Sequence, residues 1–307
     1  MIANFFNKTK PINFLVLSFL VFLVYIIAVA TIYSGDSILS HMIRKGVFLV
    51  ASILIIFVLN FIIRKNSLTD NNTFALLFYI LFIGFFPFSI LNGKIFLANL
   101  ILLFAFRRIY SLRTSIKTKQ KIFDSAFWIG IASLFYTWSF IYLFLLYIAI
   151  WIFRKMEWKN LFIPFIGFIT PIFIFYSYLL AIDDLDRFIE IWQFDYSIIF
   201  KNYFSLKFLI PIILLIIMVI ISIFPTTKRS LMAKIDYKST WSIIVVHIGL
   251  ALLIVLIAPV KNGSEFLFLF FPLSILFANY LQNMNKYWYK EAIIYLFAII
   301  FFSVYLV

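Results

Sequence analysis

Residues 208–225 read FLIPIILLIIMVIISIFP and carry no charged side chain. A helix needs about 20 apolar residues to cross the hydrocarbon of a bilayer, so this stretch predicts a transmembrane helix. Its two flanks differ in charge. The segment before it contains Asp183-Asp184-Leu185-Asp186-Arg187, whereas Lys228 and Arg229 follow it. Because Lys and Arg near helix ends are retained in the cytoplasm, the flanks also predict the direction of crossing.

The whole chain shares this apolar character. It is 65% hydrophobic and 12% charged, whereas soluble domains are roughly 45–50% apolar and 25% charged. We therefore predict an all-α fold, a polytopic transmembrane helix bundle of about eleven spans that forms a single domain over 1–307, without a soluble domain. The predicted spans are 13–33, 46–63, 74–91, 95–107, 123–137, 139–153, 161–182, 208–225, 241–258, 265–282 and 291–307.

Basic residues between the spans predict the topology. Lys8 and Lys10 precede an apolar run that is too long for a signal peptide, so the N-terminus is expected in the cytoplasm. The basic segments 107–122 and 154–160 are expected on the same side. The chain between them, 123–153, must then cross twice although it is short, as two short helices or a re-entrant pair. Polar residues at 136–139 predict its turn, and Asn92-Gly93-Lys94 predicts the turn of the preceding pair.

Several classes of function are excluded by composition. The net charge of +14 resides in short loops between spans, where orientation and anionic lipid head groups account for it better than nucleic acid does. There is no Cys, and His41 and His247 are far apart, so neither a thiolate site nor a zinc site is expected. Motifs of soluble nucleotide-binding and hydrolytic enzymes are missing. We expect no metal, no cofactor and no nucleic-acid partner.

Few polar side chains fall inside the predicted spans. His247 is the clear ionisable residue at mid-span, and such a residue is a functional candidate by default. A lone His is more often hydrogen-bonded to a neighbouring helix, and Asn60, Asn99 and Asn279 also suit interhelical hydrogen bonds. This scarcity argues against an ion-coupled pump.

The segment 183–195 is the most acidic of the outer segments. Its apolar residues Leu185, Phe188, Ile189 and Trp192 recur at helical spacing, which predicts an amphipathic helix on the membrane surface. Such a helix can simply anchor the bundle. Alternatively, its carboxylates face a cavity and bind a cation, a sugar or a diphosphate-bound metal.

Charged groups from separate loops are predicted to reach the outer face together. Carboxylates there could take a proton from an acceptor hydroxyl, and cations could hold a phosphate leaving group. The predicted substrate-binding residues are Lys94, Asp183, Asp184, Asp186, Arg187, Lys261 and Glu265.

Two stretches carry a resemblance to a known superfamily. FDSAFWIGIASLF at 123–135, followed by GFITP at 167–171, resembles the central helices of the C-type membrane glycosyltransferases. APVKNGSEF at 258–266, which leads into FPLS at 271–274, is similar to their final outer loop. Those enzymes take sugars from polyprenyl-phosphate carriers with an acid in the first outer loop, so the resemblance implies that Asp36 is the catalytic carboxylate. The whole chain resembles an uncharacterised family of polytopic inner-membrane proteins of Bacteroidota.

The sequence therefore predicts a multi-pass inner-membrane protein whose working surface is periplasmic. The hypothesised activity is sugar transfer from a polyprenyl-linked donor for envelope glycan assembly, and the expected partners are membrane lipids and a polyprenyl-phosphate-linked sugar. A transporter of lipids or small solutes, or a non-catalytic scaffold subunit of an envelope complex, are the alternatives.

Overall fold

The structure is a computed structural model that describes residues 2–32 and 42–305. Over these residues the chain is helical and contains no β-strand, which confirms the all-α prediction. The helices are α1 Ile2–Phe6, α2 Pro11–Ile32, α3 Met42–Lys65, α4 Phe74–Phe85, α5 Phe88–Leu91, α6 Gly93–Tyr110, α7 Thr118–Phe135, α8 Tyr142–Ile152, α9 Trp158–Ala181, α10 Asp186–Ile191, α11 Leu206–Leu231, α12 Ile235–Ile257, α13 Leu267–Gln282 and α14 Tyr287–Val304.

Eight helical segments within the described ranges are long and apolar enough to cross a membrane. The chain is therefore a multi-pass membrane protein. The other three predicted spans fall on α4, on α7 and on the short segment Thr137–Ile152. The first turns of α7 carry Lys119, Lys121 and Asp124. The count of eleven spans, the orientation and the single domain stay predictions.

The helices form two compact units. The first comprises Met1–Gly93, Ile199–Met232 and Lys261–Val307, and the second comprises Lys94–Ile198 and Ala233–Val260. Each unit is therefore assembled from segments that are distant in sequence.

The core of the first unit is a cluster of phenylalanine rings. Phe78 and Phe82 of α4 meet Phe277 of α13 and Phe297 of α14, with ring centroids between 5.2 and 6.1 Å apart. Nearly every residue of α4 and α13 is buried, as expected for helices that are apolar on all sides. Aromatic pairs in these edge and tilted arrangements contribute about 0.5–1.5 kcal/mol each beyond their buried area.

In the second unit, α7 and α9 pack closely at two glycines. A Cβ built on Gly130 would lie 2.6 Å from the Phe168 carbonyl oxygen, and one built on Gly167 would lie 2.8 Å from the Phe123 carbonyl oxygen. Small residues at such contacts let membrane helices approach backbone to backbone. Because Phe123 faces Gly167 while Gly130 faces Phe168 and Pro171, the two helices run in the same direction and begin at the same end.

Tyr110 and His247 form a hydrogen-bonded pair between two helices of the second unit. The hydroxyl of Tyr110 in α6 lies 3.1 Å from Nδ1 of His247 in α12. The His247 ring also contacts the rings of Phe106 and Tyr142. The interhelical role predicted for His247 is thus confirmed.

The breaks in the helical pattern agree with the sequence at one place and differ at two others. α7 ends at Phe135 and a 3₁₀ turn follows at Thr137–Ile141, as the polar residues there predict. Gly93, however, is the first residue of α6 rather than part of a turn, since Pro87 and Asn92 already interrupt the chain between α4 and α6. The predicted surface helix over 183–195 is reduced to the single short helix α10.

Candidate functional site

The residues just before α13 form a tight, hydrogen-bonded turn. Gly263 has a φ of 90°, which an L side chain rarely adopts. The Asn262 side-chain oxygen accepts hydrogen bonds from the backbone N–H of Ser264 at 3.1 Å and from its hydroxyl at 2.6 Å. Asn92 in turn donates to the Ser264 hydroxyl oxygen at 3.2 Å. These contacts fix the turn that presents Lys261 and Glu265.

Lys261 is buried at the start of this turn. Its side chain is only 4% exposed, and its Nζ lies 5.1 Å from the centre of the Phe200 ring. Asn202 donates a hydrogen bond to the Lys261 carbonyl oxygen at 3.0 Å. Burial lowers the pKa of Lys261 from its usual 10.5 to about 8, because a cation loses hydration there. The side chain is thus a weakly hydrated cation at neutral pH.

Glu265 is enclosed completely. Its side chain is 0% exposed, and neither carboxylate oxygen has a hydrogen-bond partner in the described part of the chain. Backbone N–H groups of Asn262, Gly263 and Glu265 are oriented favourably towards it. A buried carboxyl group without a hydrogen-bonding side chain is rare and costly, and the nearby backbone N–H groups offset part of that cost.

Aromatic rings close the turn on its other sides. Phe266 stacks on Phe86 with ring centroids 4.3 Å apart and an interplanar angle of 7°. A Cβ at Gly263 would lie 2.8 Å from the Phe208 ring and 3.1 Å from that of Phe86. Only glycine fits this space without a shift of the rings. Rigid rings and a fixed turn therefore hold one cation and one carboxyl group in an apolar setting.

The remaining predicted site residues are placed differently. Asp36 and His41 lie outside the described residues. Lys94 is exposed at the first turn of α6, in the second unit. The charged residues of the acidic segment also belong to that unit and are exposed or half-buried, namely Asp183, Asp184, Asp186 and Arg187. Of the predicted residues within the described ranges, Lys261 and Glu265 are the two that are buried, four residues apart in the chain and in the first unit.

The acidic segment is nevertheless held in place. The Thr137 hydroxyl donates to the Ile191 carbonyl oxygen at 2.6 Å, and the Trp138 indole N–H donates to the Asp195 carbonyl oxygen at 2.9 Å. The Phe188 ring contacts the Tyr176 ring of α9 at 5.2 Å. The segment is thus held by contacts within its own unit, and its position on the membrane surface stays a prediction.

Sequence reasoning missed the partners of the turn. Phe200 and Asn202 come from the chain that leads into α11, and Phe208 lies in the first turn of α11. Phe86 and Asn92 flank α5. These are ordinary apolar and amide residues without a motif, and only the fold brings them to Lys261. No group of three or more His, Asp or Glu side chains suited to a metal ion is found among the described residues.

Comparison with known proteins identifies the family of the chain but no activity. No curated protein and no solved structure matches the chain. Residues 14–306 match a family of unknown function, DUF6427. The matched range includes all eight membrane-length helices apart from the first residues of α2. The match spans nearly the whole chain, and the protein therefore belongs to the DUF6427 family.

Proposed function

We propose that this protein is an inner-membrane enzyme that takes a sugar from a polyprenyl-phosphate carrier at the periplasmic face, for envelope glycan assembly. The observation that carries the proposal is the Lys261 turn, where the buried Lys261 lies with its Nζ over the Phe200 ring, four residues before the enclosed carboxyl group of Glu265. A weakly hydrated cation in an apolar setting suits the phosphate of a lipid carrier, because little hydration has to be removed on binding.

The proposed chemistry assigns one role to each of two charged groups. Asp36 takes the proton of the acceptor hydroxyl, the acceptor oxygen bonds to the sugar carbon, and the bond from that carbon to the phosphate oxygen breaks. The electron pair stays on the polyprenyl phosphate that leaves, and Lys261 stabilises its charge. Glu265 does not touch the substrate in this scheme, since it is fully enclosed.

The test of this proposal is binding of polyprenyl phosphate to the purified protein. Lys261→Met keeps the length of the side chain but removes its charge, and we expect it to weaken binding about 10- to 100-fold, the range for a hydrogen bond to a charged group. Native mass spectrometry of the protein titrated with polyprenyl phosphate measures the change. Lys201→Met is the matched control, because Lys201 is an exposed lysine that directly follows Phe200, the residue whose ring Lys261 contacts. Equal affinity of the two variants would refute the role of Lys261.

The same binding should depend on pH. Because the pKa of Lys261 is lowered to about 8, its charge is present at pH 7 and lost as the pH rises through 8. We expect the affinity for polyprenyl phosphate to fall about ten-fold between pH 7 and 9. In Lys261→Arg the charge persists, so the affinity should stay constant over this range. A wild-type profile as flat as that of Lys261→Arg would contradict the assignment.

The pKa shift has the opposite consequence for stability. The unfolded chain, where Lys261 has its usual pKa of 10.5, binds more protons than the folded chain between pH 8 and 10.5. The contribution of Lys261 to the free energy of unfolding therefore rises with pH across this window. Deprotonation of Lys261 above pH 8 therefore does not destabilise the fold, and unfolding through this residue does not explain a loss of binding there.

A non-catalytic subunit of an envelope complex is the second candidate. A groove of about 550 Å³ in the first unit is lined almost entirely by apolar side chains of α11 and α14. Such a surface suits a partner helix or lipid chains. Co-purification of a partner, together with wild-type behaviour of Lys261→Met, would favour this candidate over the enzyme.

A further inference from the structure

A basic pocket lies where α7 and α9 begin, within the second unit. Its volume is about 570 Å³. The residues that line it are Ser115, Lys117, Thr118, Lys119, Gln120, Arg154, Lys155, Glu157 and Asn160. Four of these side chains are cationic and one is acidic, so the pocket has a strong positive potential. It is independent of the Lys261 turn and of the proposed enzymatic function.

Two helix N-termini add to this potential. α7 and α9 are parallel neighbours, so the positive ends of their dipoles lie at the same end and repel each other. Neither helix has an acidic residue in its first turn or a side-chain hydrogen bond at its N-cap, and the acid at the N-cap of α9, Glu157, is the one acidic residue of the pocket. The N–H groups of the first turns lack partners within a helix. An anion at this end would accept hydrogen bonds from such groups and offset the repulsion.

The buried side-chain amide of Asn160 indicates which group a bound anion carries beside its negative charge. Asn160 is 2% exposed and donates from Nδ2 to the Lys155 carbonyl oxygen at 2.8 Å. Its Oδ1 is buried and accepts no hydrogen bond within the described residues. A buried acceptor requires a donor, and a cationic donor is disfavoured beside four basic side chains. The ligand that suits Asn160 therefore carries a hydroxyl group near its negative charge.

The surroundings of the pocket indicate a lipid. Trp158, next to Glu157 in the chain, is 81% exposed, and Met156 and Ile116 are also largely exposed. Tryptophan and apolar side chains at the end of a transmembrane helix belong at the boundary between head groups and hydrocarbon. A soluble phosphate would have no contact with these residues, whereas a lipid would place its chains against them.

We propose that this pocket binds the phosphate and the adjacent hydroxyl of an anionic phospholipid head group, of the phosphatidylglycerol class. Lys119 and Arg154 contact the phosphate together with the N-terminus of α7. Asn160 accepts the hydroxyl hydrogen. Lys155 donates a hydrogen bond from its Nζ to the Ser115 hydroxyl at 2.5 Å, which fixes its side chain at one side of the pocket.

The experiment titrates the purified, delipidated protein with phosphatidylglycerol and measures bound lipid by native mass spectrometry. The double variant Lys119→Gln/Arg154→Gln should bind about 25-fold more weakly, since each basic residue near an anionic surface contributes roughly five-fold. Arg113→Gln/Lys159→Gln removes the same charge from the same two segments, but outside the pocket lining. Its affinity should stay within two-fold of wild type. Equal losses in both variants would mean diffuse attraction and would overturn the site, as would no loss in either.

The hydroxyl contact has a test that does not depend on the basic residues. Phosphatidylmethanol has the same charge as phosphatidylglycerol but no free hydroxyl, and we expect wild type to bind it about five-fold more weakly. Asn160→Leu should remove this preference. Equal binding of the two lipids by wild type would refute the hydroxyl contact even if Asn160→Leu fails to fold.

Competition identifies the source of the phosphate. Glycerol phosphate in excess should leave bound phosphatidylglycerol in place, because it lacks chains to contact Trp158 and Met156. If glycerol phosphate displaces the lipid at comparable concentration, the lipid assignment is wrong and the pocket serves a soluble phosphate ester.

Discussion

Leucine in place of Gly130 is expected to force α7 and α9 apart and to lower the free energy of unfolding by about 3 kcal/mol or more. Even the Cβ of alanine would lie 2.6 Å from both the Phe168 carbonyl oxygen and the Pro171 ring. The first of these atoms is backbone, so relief requires a shift of a whole helix. Alanine itself should cost about 1–3 kcal/mol.

The control for this prediction is another helical glycine. A Cβ at Gly249, inside α12, would meet nothing within 4 Å. Gly249→Ala should therefore be neutral or stabilising by up to about 1 kcal/mol, the difference in helix propensity. Thermal unfolding of the detergent-purified variants, followed by size-exclusion chromatography, measures both. Similar midpoints for Gly130→Leu and wild type would show that α7 and α9 do not approach at this position.

Asparagine in place of Asp36 is expected to reduce sugar transfer by about 10²- to 10⁴-fold, the usual contribution of a general base. The amide cannot accept the proton of the acceptor hydroxyl, although it has the same shape as the carboxyl group. The assay uses proteoliposomes with a polyprenyl-phosphate-linked sugar, and membranes of a deletion strain supply the acceptor. Release of polyprenyl phosphate is the readout.

Asp195→Asn is the matched control for Asp36→Asn. Asp195 is also an acid of a predicted outer segment, its side chain is exposed, and no role is proposed for it. Its variant should keep the wild-type rate. Binding of polyprenyl phosphate by Asp36→Asn should be unchanged, which separates loss of the base from loss of the fold. Equal rates for Asp36→Asn and Asp195→Asn would remove Asp36 from the chemistry.

The fold class could be predicted from the sequence because the length and apolarity of a segment suffice to identify a membrane helix. The run at 208–225 lies inside α11, and the polar residues at 136–139 mark the break between α7 and α8. The prediction at Gly93 differs because Pro87 already ends the preceding helix. Helix α10 is shorter than predicted because hydrogen bonds to the 137–141 turn hold Ile191 and Asp195.

Only the charged residues of the candidate site could be predicted from the sequence. Lys261 and Glu265 could be named because ionisable residues at the end of an apolar segment are conspicuous. The burial of these two residues could not be predicted, since it depends on Phe200, Phe208 and Phe86. Nothing in the sequence distinguishes these three from the other phenylalanines among the 42 in the chain. The basic pocket was also hidden. Sequence gives the basic segments, but the parallel packing of α7 and α9 at Gly130 and Gly167 decides that their N-termini lie side by side.

Release of polyprenyl phosphate from a polyprenyl-phosphate-linked sugar tests the central claim most directly. Proteoliposomes with the wild-type protein should release it at least about 100-fold faster than those with Asp36→Asn. Proteoliposomes without protein should release none above background. A wild-type rate equal to that of protein-free liposomes, with the protein folded and acceptor membranes present, would contradict the proposed enzyme.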